Sequence, residues 1–361
     1  MEKKNITATG VIAAALAAIT IGSCGFAVYK YLSTDRSLLG KDPDKMYTKK
    51  TSYYDSNINV LLGRQADWRQ IASGNLLTHE DFVGIDGSTA TIPITAELAR
   101  QFSGAADGEI KSYVSHNKTD EAYENLIFGK ENALVWYDDT TQEYQTHKQP
   151  VRFVFATPPS EDEYSLAAKN NVTLEVEPVA LDGFVFITHK DNPVDSLTVQ
   201  QIRDIYSGKI TNWKEVGGKN EKIRPFQRTK NSGSQTAMEE LVMEGKSMTD
   251  APVAFIMEGM GDLVDAVAAE YENSTSAIGY TYYYYINNLY RNEDIKVLNI
   301  DGVSPENENL VSEKYPFTAA YYAVIRSDEP EGSVYRKLRD YMLTDEGQEI
   351  VRLAGYCPIK E

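Results

Sequence analysis

From about residue 79 onward, apolar positions alternate between strand-like runs and stretches at helical spacing, the pattern of an α/β protein. Residues 172–189 read as a strand that ends in Phe184-Val185-Phe186-Ile187. After it, Thr198-Val199-Gln200-Gln201 has capping-box spacing; Ile202, Ile205 and Tyr206 then share one helix face, and Gly208 stands where the helix should stop. Val334, Leu338, Tyr341 and Met342 mark another amphipathic helix near the C-terminus. Residues 37–78 are polar and carry Lys41-Asp42-Pro43-Asp44 and Lys49-Lys50, which predicts a linker with some local structure.

The N-terminus has a different pattern. Lys3 and Lys4 precede an apolar run over residues 6–28, long enough to span a bilayer. The lysines predict that the N-terminus stays inside and the remainder is exported. Two readings stand side by side. Ile21-Gly22-Ser23-Cys24 resembles a lipobox with Cys24 as the lipidated residue, whereas Phe26-Ala27-Val28 prolongs the run as an uncleaved anchor would. Either way, residues 1–36 are a signal peptide or membrane anchor. The expected localisation is the cell membrane, with the folded part on its extracytoplasmic face.

Three segments share one design, a short Gly/Ser/Thr-rich stretch running straight into an amphipathic helix. The first is Asp86-Gly87-Ser88-Thr89-Ala90-Thr91, followed by Pro93 and a buried face of Ile94, Leu98, Ala99 and Phe102. The second is Asn117-Lys118-Thr119-Asp120, followed by Ala122, Tyr123, Leu126 and Ile127, with Gly129 as the stop. The third is Arg228-Thr229-Lys230-Asn231-Ser232-Gly233-Ser234, followed by Ala237, Met238, Leu241 and Val242. First-turn N–H groups lack partners inside a helix and carry partial positive charge. Hydroxyls add donors, and glycine permits close approach of the backbone. Plain capping explains any one such segment. Three that converge, with Arg228 beside them, would make a cage of donors for an oxyanion.

Composition removes some classes. The 361 residues suit two domains, and 42% hydrophobic with 25% charged is ordinary for a globular chain. A net charge of −17 argues against nucleic acid as a partner. It leaves room for an anion site that is positive only locally. Cys24 and Cys357 are the two cysteines, so no disulfide framework is expected, and Cys357 reads as a small apolar residue. His79, His116, His147 and His189 have no metal-ligand spacing, and neither a G-x-S-x-G nor a Walker sequence is present. No cofactor, no metal and no enzymatic activity are therefore expected.

The stretch from Leu197-Thr198 through Ile210-Thr211-Asn212-Trp213, then Val216-Gly217-Gly218 and residues 228–234, resembles the PstS-like phosphate-binding proteins of phosphate ABC importers. Asp86-Gly87-Ser88-Thr89, Ala277-Ile278-Gly279-Tyr280 and Asp345-Glu346-Gly347-Gln348 resemble that family too, in the same order, so that the likeness covers about residues 80–358. The resemblance implies a two-lobed periplasmic-binding-protein (type II) fold, α/β, with two crossover strands near residues 179–189 and 316–326 and a ligand cleft between lobes. Lobe I would comprise 79–190 and 315–361, and lobe II 191–314. It implies inorganic phosphate or a related oxyanion as ligand, ABC permease subunits as partners, and a monomer. The matching ligand-contact positions are Ser88, Thr89, Ala90, Lys118, Thr119, Arg228, Ser232, Gly233 and Ser234. Family members usually place an aspartate after the strand that follows the second helix, as acceptor for the proton of hydrogen phosphate. Pro158 in Ala156-Thr157-Pro158-Pro159-Ser160 aligns with it, and residues 131–150 read as an insertion. Without that aspartate, phosphate and sulfate are expected to be told apart less sharply, unless Asp86, Asp120, Asp138 or Asp139 replaces it. A sensor or adhesion protein for another small oxyanion on the same fold is the alternative.

Overall fold

The computed structural model describes residues 66–359, apart from 73, 75, 139 and 270–274. The expected anchor with Cys24, and most of the linker, lie outside the described residues. Among the described residues no helix is long and apolar enough to cross a membrane.

In chain order, the elements are β1 (Ile85–Gly87), α1 (Ile92–Ser103), α2 (Thr119–Phe128), β2 (Glu131–Asp138), β3 (Glu143–Pro150), β4 (Phe153–Ala156), α3 (Glu161–Lys169) and β5 (Leu174–His189). They continue with β6 (Ser196–Leu197), α4 (Val199–Tyr206), β7 (Lys222–Pro225), β8 (Gln227–Arg228), α5 (Gly233–Ala237), β9 (Ile256–Met257), α6 (Met260–Ala269) and β10 (Thr275–Tyr282). The last are β11 (Ile295–Ile300), α7 (Asn307–Val311), β12 (Thr318–Arg326), α8 (Val334–Met342), α9 (Asp345–Leu353) and β13 (Cys357–Pro358).

β5 joins the two halves of the fold. Its residues 174–183 pair antiparallel with β12, which in turn pairs with β4, and β4 is parallel to β1. Beyond Gly183 the strand changes neighbours: residues 184–188 pair with β10, 186–189 with β11, and β10 is parallel to β7. One continuous strand thus carries two differently partnered sheet regions, as a two-lobed α/β fold requires. Gly183 sits at the switch, where a side-chain carbon would fall 2.9 Å from Pro305.

Local signals explain the elements. Thr198 and Gln201 close the capping box, and Thr198 Oγ1 accepts from Gln201 N at 3.1 Å. In α1, Pro93 occupies the first turn and Gly104 ends the helix at φ 65°. α2 ends the same way at Gly129, φ 62°. The helix after the third segment departs from expectation: α5 passes into a π-helical turn over Met238–Val242, which still buries Met238 and Val242.

The motifs that carry the family resemblance turn out to be mostly packing. Trp213 is buried, donates from Nε1 to Ser276 O at 3.0 Å, and follows an Asn212 cap. Burying that ring contributes roughly 3 kcal/mol. Gly279 lets α6 approach β10, since a side-chain carbon there would meet Leu263 at 2.5 Å. Gln348 on α9 donates to Val179 O at 3.0 Å and to Met342 O at 2.7 Å.

Two regions differ from a simple reading. The 131–150 segment is a separate two-stranded ribbon, β2 with β3. It is attached through a stack of Trp136 between His79 and His147, with ring centroids at 3.9 and 3.4 Å. The last part of the expected linker is fastened down. Trp68 Nε1 donates to the buried Glu97 at 2.7 Å, and Gln101 Oε1 accepts from Ile71 N at 2.9 Å.

Candidate functional site

The site is built at the ends of β1 and β4. The first loop is stapled to β4, because Ser88 N donates to Phe155 O at 2.9 Å and Thr91 Oγ1 donates to the same carbonyl at 2.7 Å. Gly87 has to be glycine here, since a side chain would run into Phe155 O and, at 2.7 Å, into the His116 ring. His116 is buried, and burial lowers its pKa, so it is neutral. A carbonyl only accepts, so Nδ1–H donates to Ser88 O at 2.9 Å, and Nε2 accepts from Thr95 Oγ1 at 3.0 Å. Within this loop the Ser88 hydroxyl lies 3.3 Å from Thr91 Oγ1, Thr89 is half-buried, and the Ala90 carbonyl accepts from Tyr356 OH.

Asp86 fixes the second loop against the first. Its carboxylate accepts from Asn117 N at 2.8 Å, Asn117 Nδ2 at 2.9 Å, Asn125 Nδ2 at 3.0 Å and Gly87 N at 2.7 Å. That leaves it committed to its own loops rather than available as an acceptor for a ligand proton. Pinning Asn117 holds Lys118 at φ 71°, a conformation that favours glycine. Lys118 itself is exposed, while Thr119 behind it is buried at the start of α2. Asp120 is exposed, and Asp139 and the side chain of Asp138 lie outside the described residues.

The third loop meets the second and the residue after β4. A side-chain carbon on Gly233 would fall 2.9 Å from Thr119 Oγ1 and closer still to Thr157 Oγ1, so the three residues are in contact. Ser232 caps α5 by accepting from Gln235 N at 3.3 Å. Tyr282 OH donates to Gly233 O at 3.2 Å. Arg228 is only 7% exposed. Its Nε donates to Met257 O at 3.0 Å, Nη2 to Glu258 O at 2.8 Å, and Nη1 to Ser234 Oγ at 3.3 Å. Among the described residues it forms no salt bridge, and burial pushes its pKa below the ordinary guanidinium value against the opposing charge of Asp262. Its backbone N–H is shared by Tyr280 OH at 3.0 Å and Gln235 Oε1 at 3.1 Å.

Thr119, Gly233, Ser234 and Arg228 therefore gather at one place, with the Ser88–Ala90 loop stapled to the strand that leads to it. After β4, Thr157, the residue before Pro158, turns its side chain into this junction. Sequence reading missed Tyr280 and Tyr282. Their place in the strand Ala277-Ile278-Gly279-Tyr280 was visible, but not that their hydroxyls reach the third loop.

A family model described as PBP superfamily domain matches residues 70–346. The chain belongs to that superfamily of binding-protein domains. Among curated proteins it resembles the phosphate-binding protein PstS of Bacillus subtilis, 28% identical over 184 residues, which covers 51% of this chain and 57% of the relative. PstS of Borreliella burgdorferi is 27% identical over 186 residues, 50% of this chain and 64% of the relative. The chain thus spans less than two thirds of the length of those relatives. Among solved structures, one from Clostridium perfringens, assigned as a phosphate ABC transporter substrate-binding protein with bound phosphate, superposes with a TM-score of 0.57 at 26% identity, covering 77% of this chain and 99% of that one. An ABC-type phosphate transport receptor from Vibrio cholerae shares the fold, with a TM-score of 0.52, 22% identity, and 75% and 98% covered. The PstS-like resemblance read from the sequence and the type II fold are both borne out.

Proposed function

We propose that the protein captures inorganic phosphate outside the cell and delivers it to an ABC importer, without catalysing a reaction. The observation that carries this reading is Arg228, a buried cation that forms no salt bridge among the described residues and feels Asp262 only at a distance, lying beside Ser234 and the loop that meets Thr119 and Thr157. A buried charge without a salt bridge is costly, and an anion would relieve it through charge-assisted hydrogen bonds. The proposed ligand contacts are Ser88, Thr89, Ala90, Lys118, Thr119, Arg228, Ser232, Gly233 and Ser234. Lobe I is drawn as 79–190 with 315–361 and lobe II as 191–314, so that Arg228 and Gly233 close on Thr119 from the opposite lobe. Tethering through residues 1–36, by lipidated Cys24 or an uncleaved anchor, would hold a monomeric binding domain beside permease subunits. The phosphate-binding names of the relatives and the bound phosphate in the Clostridium perfringens structure support the ligand class. Calorimetric titration of the protein with inorganic phosphate tests it: saturable one-to-one binding is expected, and no heat or stabilisation at millimolar phosphate would refute it.

A further inference from the structure

We infer that Thr157 is an unassigned specificity-determining contact of this site, and that its hydroxyl makes the site accept protonated and unprotonated tetrahedral oxyanions alike. This rests on the oxyanion-binding reading above. Thr157 is 2% exposed, and its Oγ1 has no hydrogen-bond partner. Buried hydroxyls are rarely left so, and an orphaned one at a junction of loops marks a missing partner. The backbone at this residue is held from behind, since Tyr123 OH donates to Thr157 O at 2.6 Å. Oγ1 stands against Gly233, with Thr119 Oγ1 near the same glycine.

The chemistry follows from what a hydroxyl can do. It donates to a bare oxyanion oxygen and accepts from a protonated one. A carboxylate only accepts, so it rewards the proton of hydrogen phosphate and is left unpaired and repelled before sulfate. Among the described residues no carboxylate hydrogen-bonds to Thr119, Thr157, Arg228 or Ser234. Nearby acids are otherwise engaged. Asp86 is saturated by its own loops. Asp162 pairs with Lys230 at 2.5 Å. Glu163 accepts from Ser160 N at 2.6 Å, and burial raises its pKa to about 8, so at neutral pH it is an acid rather than a carboxylate. Asp262, whose charge reaches Arg228, accepts from Gly259 N at 3.1 Å. The groups that meet at Thr157 and Gly233 present N–H and O–H.

The test is calorimetry at neutral pH with inorganic phosphate and with sulfate. The protein is expected to prefer phosphate by less than about a hundredfold. Thr157→Asp should raise that ratio by about a hundredfold or more, chiefly by losing sulfate. Thr157→Val should weaken both anions by about tenfold, and Thr157→Ser should keep both within about threefold. Glu163→Gln should leave the ratio unchanged. The inference is overturned if the unaltered protein already prefers phosphate several thousandfold, if Thr157→Asp leaves the ratio where it was, or if Glu163→Gln shifts it instead. Should Thr157→Val not fold, the serine and aspartate variants still decide. Absence of binding of either anion to the unaltered protein would bring down the phosphate-capture reading itself. Phosphate binding that is indifferent to Thr157 would bring down only this inference.

Discussion

The two sides of the site are built from similar residues but treated oppositely. Around Asp86 every strong polar group is answered from within: four N–H groups converge on one carboxylate, and His116 uses both ring nitrogens. Around Arg228 and Thr157 the bonding stops short, with a buried cation held only by two carbonyls and a hydroxyl, and a buried Oγ1 with nothing. Residue type does not separate the two regions. The saturated side holds the loops in place, and the unsaturated side is the one proposed to take a ligand.

The sharpest way to break this contrast is to damage the scaffold. Asp86→Ala leaves the Asn117 and Asn125 donors buried without an acceptor. Loss of about 3–5 kcal/mol of stability is expected, seen as a fall in denaturant midpoint. Phosphate affinity should fall only as far as the second loop is released. A stable Asp86→Ala protein would show that the network is dispensable.

Arg228→Ala should do the reverse. Affinity for phosphate is expected to drop by roughly 30- to 1,000-fold, about 2–4 kcal/mol, while the folded state survives because a desolvated cation is removed with its bonds. Equal damage to folding and binding would erase the distinction between the two regions.

A third test uses pH. Asp182 lies on β5 next to the switch at Gly183. It accepts from Tyr321 OH at 3.0 Å, from Tyr284 N at 3.0 Å and from Gly183 N at 2.8 Å, yet burial pushes its pKa up to about 7. In the unfolded chain the same group titrates near 3.8. Between these values the folded state holds more protons, so this group's contribution to stability is full below about pH 4 and is lost as pH rises to about 7. The slope is at most about 1.4 kcal/mol per pH unit. Asp182→Asn keeps an acceptor for both N–H groups and should flatten that slope. An unchanged pH profile of the melting temperature would show that Asp182 does not titrate there.

The smallest effect should come from Lys230→Ala. The Lys230–Asp162 pair, at 2.5 Å, joins the third loop to α3, but both side chains are largely exposed. Little or no change is expected in either stability or binding. A larger loss of phosphate affinity at low salt than at high salt would place Lys230 in the site's field.

Much of this was legible in the chain. The capping box at Thr198 and Gln201, the glycine stops at Gly104 and Gly129, and the buried faces of α1 and α2 are local, set by spacing and by which backbone groups a nearby side chain can satisfy. The family likeness was legible for the same reason: Asn212-Trp213, Gly279 and Gln348 serve packing that tolerates few substitutes. Tertiary structure alone decided that β5 changes partners at Gly183, that Asp86 is consumed by Asn117 and Asn125, and that Thr157 faces Gly233 across the site. Each joins residues tens of positions apart, and whether a hydroxyl or carboxylate is spent or spare depends on who sits opposite. Hydrophobic period and capping chemistry act over three or four residues, so they write themselves into sequence. Hydrogen-bond satisfaction across a cleft is a property of the closed fold, and only there does a missing partner become visible.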